Sequence, residues 1–275
     1  MKALAPQSAA GAGSGAGAIR PGGRLVPALA AAAVLAILWL AVQGARGGGP
    51  GILPTMAKWA PLIFTGFLFN LLVSVLAMAL GTAMGVALGL AQVSLLAPVR
   101  RLAWLVTQFF RNAPWLVLLF YAMLILPFEV QLFGQRVPLP GWLKSVIGLS
   151  LPVMANVAEI VRGGVQSIPL GQWESAEALA FSRRQVLWSI ILPQAVKRMI
   201  PPWMNLYAIL TMATSLISIV GVQDGVSLTR AALVAEGRTD LFMPMYLMLL
   251  LMFFAYCYPI ARWTAALERR FAVRG

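Results

Sequence analysis

Gly171-Gln172-Trp173-Glu174-Ser175-Ala176-Glu177-Ala178-Leu179-Ala180, followed nine residues later by Ile190-Ile191-Leu192-Pro193, is a polar interval between two apolar runs. It lies within a longer polar stretch from Gly163 to Pro202. Pro169 and Gly171 interrupt whatever helix precedes it. Glu174 to Leu179 are good helix formers, and Glu174 and Glu177 sit near a helix start, where the macrodipole favours acids. Trp173, Ala176, Leu179 and Ala180 can share one face. The spacing predicts a short amphipathic helix, suited either to a soluble partner or to a lipid surface.

The rest of the chain is apolar. Of 275 residues, 60% are hydrophobic and 11% are charged, against about 25% charged in a soluble domain. Mean hydropathy is +0.84. Apolar runs of about twenty residues define an all-α integral membrane protein, whereas a β-barrel shows shorter alternating segments. The chain has no histidine and one cysteine, Cys257, in an apolar run. Zinc sites of the Cys/His kind, internal disulfides and Ser/His or Cys/His catalysis are therefore excluded, and no metal site is expected. No G-x-x-x-x-G-K-S/T pattern occurs, so the chain has no phosphate loop.

Six spans follow from the apolar pattern. Residues 1–24, rich in Ala, Gly and Ser, read as a disordered tail. Residues 25–43 are the first span. A secretory signal fits the same charges and small residues, but the apolar length favours an uncleaved span. A Gly-rich linker extends to Lys58. The second span runs from Leu62 to Gln92. Its Gly81, Gly85 and Gly89, four apart, form a smooth face for close helix approach. The third runs from Leu102 to Leu126 and carries Arg111-Asn112-Ala113-Pro114. An arginine about nine residues inside a span, roughly 14 Å deep, needs a partner. Pro127 to Lys144 is a loop.

The fourth span, Val146 to Val165, supplies that partner in Glu159, with Arg162 a second candidate. An Arg111–Glu159 pair would either lock two helices or act as a gate or substrate contact. The fifth span runs from Pro202 to Val220 and the sixth from Leu241 to Ala261. A loop carrying Asp224, Arg230, Glu236, Arg238 and Asp240 joins them, and 263–275 is a basic tail. In the fifth span Thr211, Thr214, Ser215 and Ser218 fall on one helical face. They offer hydroxyls to a passing zwitterion, or simply bond back to their own helix.

The net charge of +13 is a matter of topology and not of nucleic-acid binding. With six spans, fourteen basic residues fall on the side of the termini and six on the other, Arg111 being the remaining one of 21. The positive-inside rule places both termini and the loop 163–198 in the cytoplasm.

Glu174-Ser175-Ala176, then Ala180, then Ile190-x-Leu192-Pro193 resembles the EAA loop of ABC importer permeases: E-A-A, three residues, Gly, nine residues, I-x-L-P. The run Ala158-Glu159-Ile160-Val161-Arg162-Gly163-Gly164-Val165-Gln166-Ser167-Ile168-Pro169, with Gly171-Gln172, Ser182-Arg183, Leu192-Pro193-Gln194-Ala195 and Thr214-Ser215-Leu216, is similar to the polar amino-acid branch. That branch comprises the histidine/glutamine permease-like inner-membrane components. Arg111 and Pro114 match its R-G-T-P element. The resemblance covers about Leu62 to Ala261.

The resemblance implies a five-helix type I permease core over 62–262, with residues 25–43 as an added helix, in the bacterial inner membrane. It implies a second permease chain, two cytoplasmic ATPase subunits that hold the ATP and Mg, and a periplasmic amino-acid-binding protein, all beside membrane lipid. The chain itself binds no cofactor. Trp173, Glu174, Ser175, Ala176, Leu179 and Ala180 would form the coupling helix, Glu174 anchoring it and Ala176 and Leu179 filling the ATPase cleft.

Two departures stand out. Ala180 replaces the usual Gly, so a right-handed helical backbone is expected there. Met212-Ala213 replaces Lys-Asp before Thr-Ser-Leu, which removes any charge-based role at those positions. The rival readings are an ABC permease for another small solute, such as a metal-chelate, an opine or an oligopeptide, and an ion-coupled secondary transporter. The latter calls for internal repeats and midplane carboxylates. Glu159 is the single carboxylate within a span, and the two halves show no repeat.

Overall fold

In the computed structural model, residues 51–132 and 135–271 are described, together with positions 32 and 35. The expected 1–24 tail and nearly all of the expected 25–43 helix lie outside the described residues, as does the end of the 263–275 tail.

Helix α1 (Ile52–Gln92) is 41 residues long, about 60 Å at the helical rise. It begins ten residues before the expected start at Leu62, in what reads as linker. Pro54 falls in the first turn, where a missing N–H removes no helical bond. Thr55 returns its hydroxyl to Gly51 O at 3.1 Å. Tertiary contacts hold the added turns: Ile52, Met56 and Ile63 pack with Leu233, Leu241 and Met245. Lys58 and Trp59 each donate to Glu236 Oε1 at 2.7 Å, and these bonds hold the Glu236 carboxyl below its usual range.

The expected third span is not one rod. Helices α2 (Ala97–Asn112) and α3 (Trp115–Ile125) meet at a bend of 104°. Pro114 has no N–H and forces Ala113 out of the helical region, to ψ 137°. Arg111 therefore stands at a corner, not mid-helix. The expected loop before Lys144 contains an antiparallel hairpin, β1 (Glu129–Leu132) and β2 (Gln135–Pro138), with Glu129 opposite Pro138.

Helix α4 (Gly141–Gln166) is the centre of the molecule. Its Val153, Val157 and Val161 lie on the α1 glycines Gly81, Gly85 and Gly89. The sequence expectation of close approach is met. Lys144, 2% exposed, donates to Leu126 O at 2.9 Å and stands 4.0 Å from the Phe128 ring. A cation at the last turn of α3 suits the helix dipole and pins α3 to α4.

Helix α5 (Leu170–Ala178) follows, then a short turn α6 (Arg183–Gln185) that continues as a π-helical segment Val186–Ile191 into α7 (Leu192–Ala213). The last turn of this rod tightens to a 3₁₀ segment, Thr214–Ser218. The expected loop after it is instead a helix, α8 (Gly225–Glu236), capped by Asp224 and Ser227 in a reciprocal capping box. Helix α9 (Phe242–Phe271) passes straight through Ala261, so residues 263–271 extend the last helix and are not a separate tail.

Three described helices are long and apolar enough to cross a membrane: Ile52–Gln92, Gly141–Gln166 and Thr239–Arg270, with the bent α2–α3 pair a fourth if counted once. Their exposed apolar faces suit lipid, as the composition required.

Candidate functional site: a short exposed helix and an arginine-lined cavity

Helix α5 is held by one face. Ala176, 3% exposed, packs among Val165, Ile168, Val186, Ile191 and Ala195. It is thus turned into its own chain and cannot fill a partner's cleft, contrary to the sequence expectation. Trp173 is half-buried, with the Arg183 guanidinium 4.7 Å from its ring. Leu170 and Leu179 are exposed at 75% and 72%. Glu174 and Ser175 are exposed beside them. Glu174 makes no ion pair or side-chain hydrogen bond among the described residues, whereas Glu177 lies 3.7 Å from Arg183.

Ala180 does not keep a right-handed backbone. Its φ is +58°, and it is the one non-glycine residue with positive φ among those described. The cause is how α5 ends. Phe181 N–H donates to Ala176 O and Ala180 N–H to Glu177 O, at 3.2 and 2.9 Å. This pair of bonds is the Schellman motif, which needs a left-handed residue at the position Ala180 occupies. The motif outweighs a strain of about 1–2 kcal/mol from the Cβ. Ala180→Gly should therefore stabilise the loop by about 1 kcal/mol, read as a rise in unfolding temperature and slower amide exchange at residues 179–181.

The hydroxyl stripe does not behave as one open face. Thr211, Thr214 and Ser218 are buried and Ser215 half-buried. Each donates to a carbonyl three or four residues back: Thr211 to Tyr207, Thr214 to Thr211, Ser215 to Met212 and Ser218 to Ser215. The change to 3₁₀ winding at Thr214 also breaks the spacing that aligned them. Thr214 belongs to a buried network not foreseen from sequence. Asn70 donates to Thr214 Oγ1 and Asp224 Oδ2, and its own oxygen accepts from Gly225 N–H at 2.9 Å. Asn70, an amide alone in the apolar run of α1, was the available signal.

Arg111 and Glu159 are brought together, at 3.5 Å between Nη1 and Oε2. They do not form a sealed pair, since Arg111 is 46% exposed. The stronger partner of Glu159 is Arg162, which donates to both carboxylate oxygens at 3.3 and 2.7 Å. All three line a cavity of about 550 Å³ between α4 and α7, with Asn156, Arg198 and Asn205. Arg198 and Asn205 both sit on α7, Asn205 within the cytoplasmic end of the expected fifth span. A second, open cavity of about 910 Å³ lies beside α5, lined by Gln92, Arg100, Trp173, Glu174 and Arg183.

The model of the family described as binding-protein-dependent transport system inner membrane components matches residues 81–273, and the chain belongs to that family. The probable amino-acid ABC transporter permease protein YckA of Bacillus subtilis (strain 168) is 34% identical over 212 residues, which cover 77% of this chain and 90% of YckA. The inner membrane amino-acid ABC transporter permease protein YhdY of Escherichia coli (strain K12) is 32% identical over 173 residues. That match covers 63% of this chain and 46% of YhdY, so the chain spans about half of that relative's length. A crystal structure of an amino acid ABC transporter with histidines superposes with a TM-score of 0.68 at 26% identity, covering 78% of this chain and 96% of the other.

Proposed function

We propose that this chain is the transmembrane permease subunit of an ATP-driven ABC importer for polar amino acids in the bacterial inner membrane. The observation that carries the reading is α5. It is a nine-residue helix anchored by the buried Ala176, with Leu170 and Glu174 exposed on it and Leu179 exposed at its C-cap. A rigid peg of this kind suits a groove in a soluble partner. The chain has no phosphate loop, so nucleotide energy must reach it mechanically, as a displacement of that peg passed on to packed helices. The substrate class is supported by the names of the relatives.

In this reading the chain crosses the membrane six times. The helix expected at 25–43 and the rod Leu192–Ser218 add to the apolar spans and the bent pair. Both termini and the loop 163–198 are cytoplasmic, in keeping with the basic residues gathered there. Two permease chains pair, two ATPase subunits dock on the α5 helices and carry ATP and Mg, and a periplasmic amino-acid-binding protein delivers the solute. Trp173, Glu174, Ser175, Leu179 and Ala180 shape the ATPase contact. No metal or cofactor is held by this chain.

The test is purification of the chain in mild detergent with whatever binds it. An ABC ATPase should co-purify, and proteoliposomes holding both, supplied with the binding protein, should accumulate an amino acid only with ATP. Uptake driven by an ion gradient with no ATPase present would overturn the assignment.

A further inference from the structure

The cavity between α4 and α7 has an unequal charge balance. Arg111, Arg162 and Arg198 line it, against one carboxylate, Glu159. That carboxylate is already occupied. Arg162 donates to Oε1 through Nε and to Oε2 through Nη2, and its Nη1 donates to Gln166 Oε1 at 2.9 Å. Arg162 is thus used within its own helix. Arg198 donates to the Ser167 carbonyl.

Arg111 is different. It touches Glu159 only at 3.5 Å, is 46% exposed, and forms no side-chain hydrogen bond among the described residues. A guanidinium carries five N–H donors in a planar fork that matches a carboxylate. Arg111 presents that fork to the cavity from the corner where Pro114 turns the chain. The remaining polar side chains of the lining are the amides of Asn156, whose Nδ2 donates to Pro152 O at 2.8 Å, and Asn205, and the Ser167 hydroxyl, which donates to Gly164 O. A volume of about 550 Å³ falls in the range of small-molecule sites.

The geometry points to this cavity as a carboxylate-selective solute site, resting on the amino-acid importer reading: Arg111 holds the carboxylate of an anionic or zwitterionic amino acid, and a cationic side chain finds no free acid. A lysine-like solute would bring a second positive charge beside Arg111 and Arg198, while Glu159 stays neutralised by Arg162. Glu159 is then a positioning residue. It holds the Arg111 guanidinium at the wall without saturating its donors.

The experiment uses the purified permease–ATPase complex without its binding protein, so that the binding protein's own preference does not enter. Equilibrium binding of radiolabelled glutamate, glutamine and lysine is measured. Glutamate should bind at least as tightly as glutamine, and lysine at least tenfold more weakly than either. Arg111→Gln should weaken glutamate binding about tenfold or more, as expected for a lost charge-assisted bond, and Arg111→Lys should recover part of it. Glu159→Gln, which frees the Arg162 guanidinium, should weaken lysine binding more than glutamate binding, a split that simple damage to the fold would not produce. Lysine binding as tight as glutamate, unchanged affinity in Arg111→Gln, or no binding of any of the three would overturn the site. ATP-driven uptake of an amino acid by the wild-type assembly, scored separately, would leave the importer reading standing in each case.

Discussion

Glu174→Lys should strip the ATPase subunits from the permease and abolish ATP-driven uptake without destabilising the chain itself. The two halves of that result have separate causes. Glu174 is exposed on α5 and forms no ion pair or side-chain hydrogen bond among the described residues. Its reversal removes no internal contact, so the unfolding free energy should move by no more than about 0.5 kcal/mol. In a docked groove the same carboxylate would be desolvated against a partner's donors. Reversing one member of such a buried charge pair costs about 2–5 kcal/mol, a loss of roughly thirtyfold or more in ATPase affinity. Retention of the ATPase on affinity-purified permease, together with the unfolding temperature, measures both halves. Ala176→Leu should behave oppositely. It overfills the contact with Val186 and Ile191, so it should lower stability first and coupling only as a consequence. ATPase retention with normal import in Glu174→Lys would remove α5 from the coupling role.

The helix formers from Glu174 to Leu179 are enough to expect a short helix, which starts earlier, at Leu170, and the Gly81-Gly85-Gly89 repeat to expect a close helix contact, whose partner is α4. Both signals are local in sequence. What was hidden depends on distant partners. Ile52 to Lys58 reads as the end of a Gly-rich linker, and is helical because Leu233, Leu241, Met245 and Glu236 receive it. Residues 225–236 read as a charged loop, and the Asp224–Ser227 capping box that starts α8 uses Ser where the usual pattern has Glu or Gln. The bend at Ala113-Pro114 was visible as a proline, but hydropathy averages across it. At Ala180 the residue's own preference argues for a right-handed backbone, whereas the hydrogen bonds ending α5 decide it. The hydroxyls of the fifth span were placed by an α-helical spacing that the 3₁₀ winding at Thr214 cancels. At the cavity, the Arg111–Glu159 attraction was legible from the penalty of lone charges in lipid. That Arg162 takes the larger share was not, because its three-residue spacing competes with a contact set by the corner at Pro114.

Gly85→Val should separate α1 from α4 and lower stability by about 2–3 kcal/mol, enough to reduce the folded yield of the permease in the membrane. A Cβ at Gly85 would stand 2.6 Å from Val157 Cβ and 2.7 Å from Met154 O. The second of these is backbone, so no rotamer change relieves it, and the helices themselves must part. Gly85→Ala isolates the competing terms. Helix propensity favours alanine by about 1 kcal/mol, while overpacking costs about 1–3 kcal/mol. Overpacking should prevail here because helix pairs in lipid are held by close contact and gain little from apolar burial alone. Gly163→Ala supplies the contrast: nothing lies within 4 Å of a Cβ there, so propensity acts alone and stability should rise slightly. Val157→Ala opens the other side of the contact. Combined with Gly85→Ala it should be less damaging than the two single changes added together, by about 0.5–3 kcal/mol of coupling. Thermal unfolding in detergent of the four proteins of that cycle measures it. Strict additivity would mean that Gly85 and Val157 do not meet, and that the α1–α4 approach is not the contact on which the bundle is built.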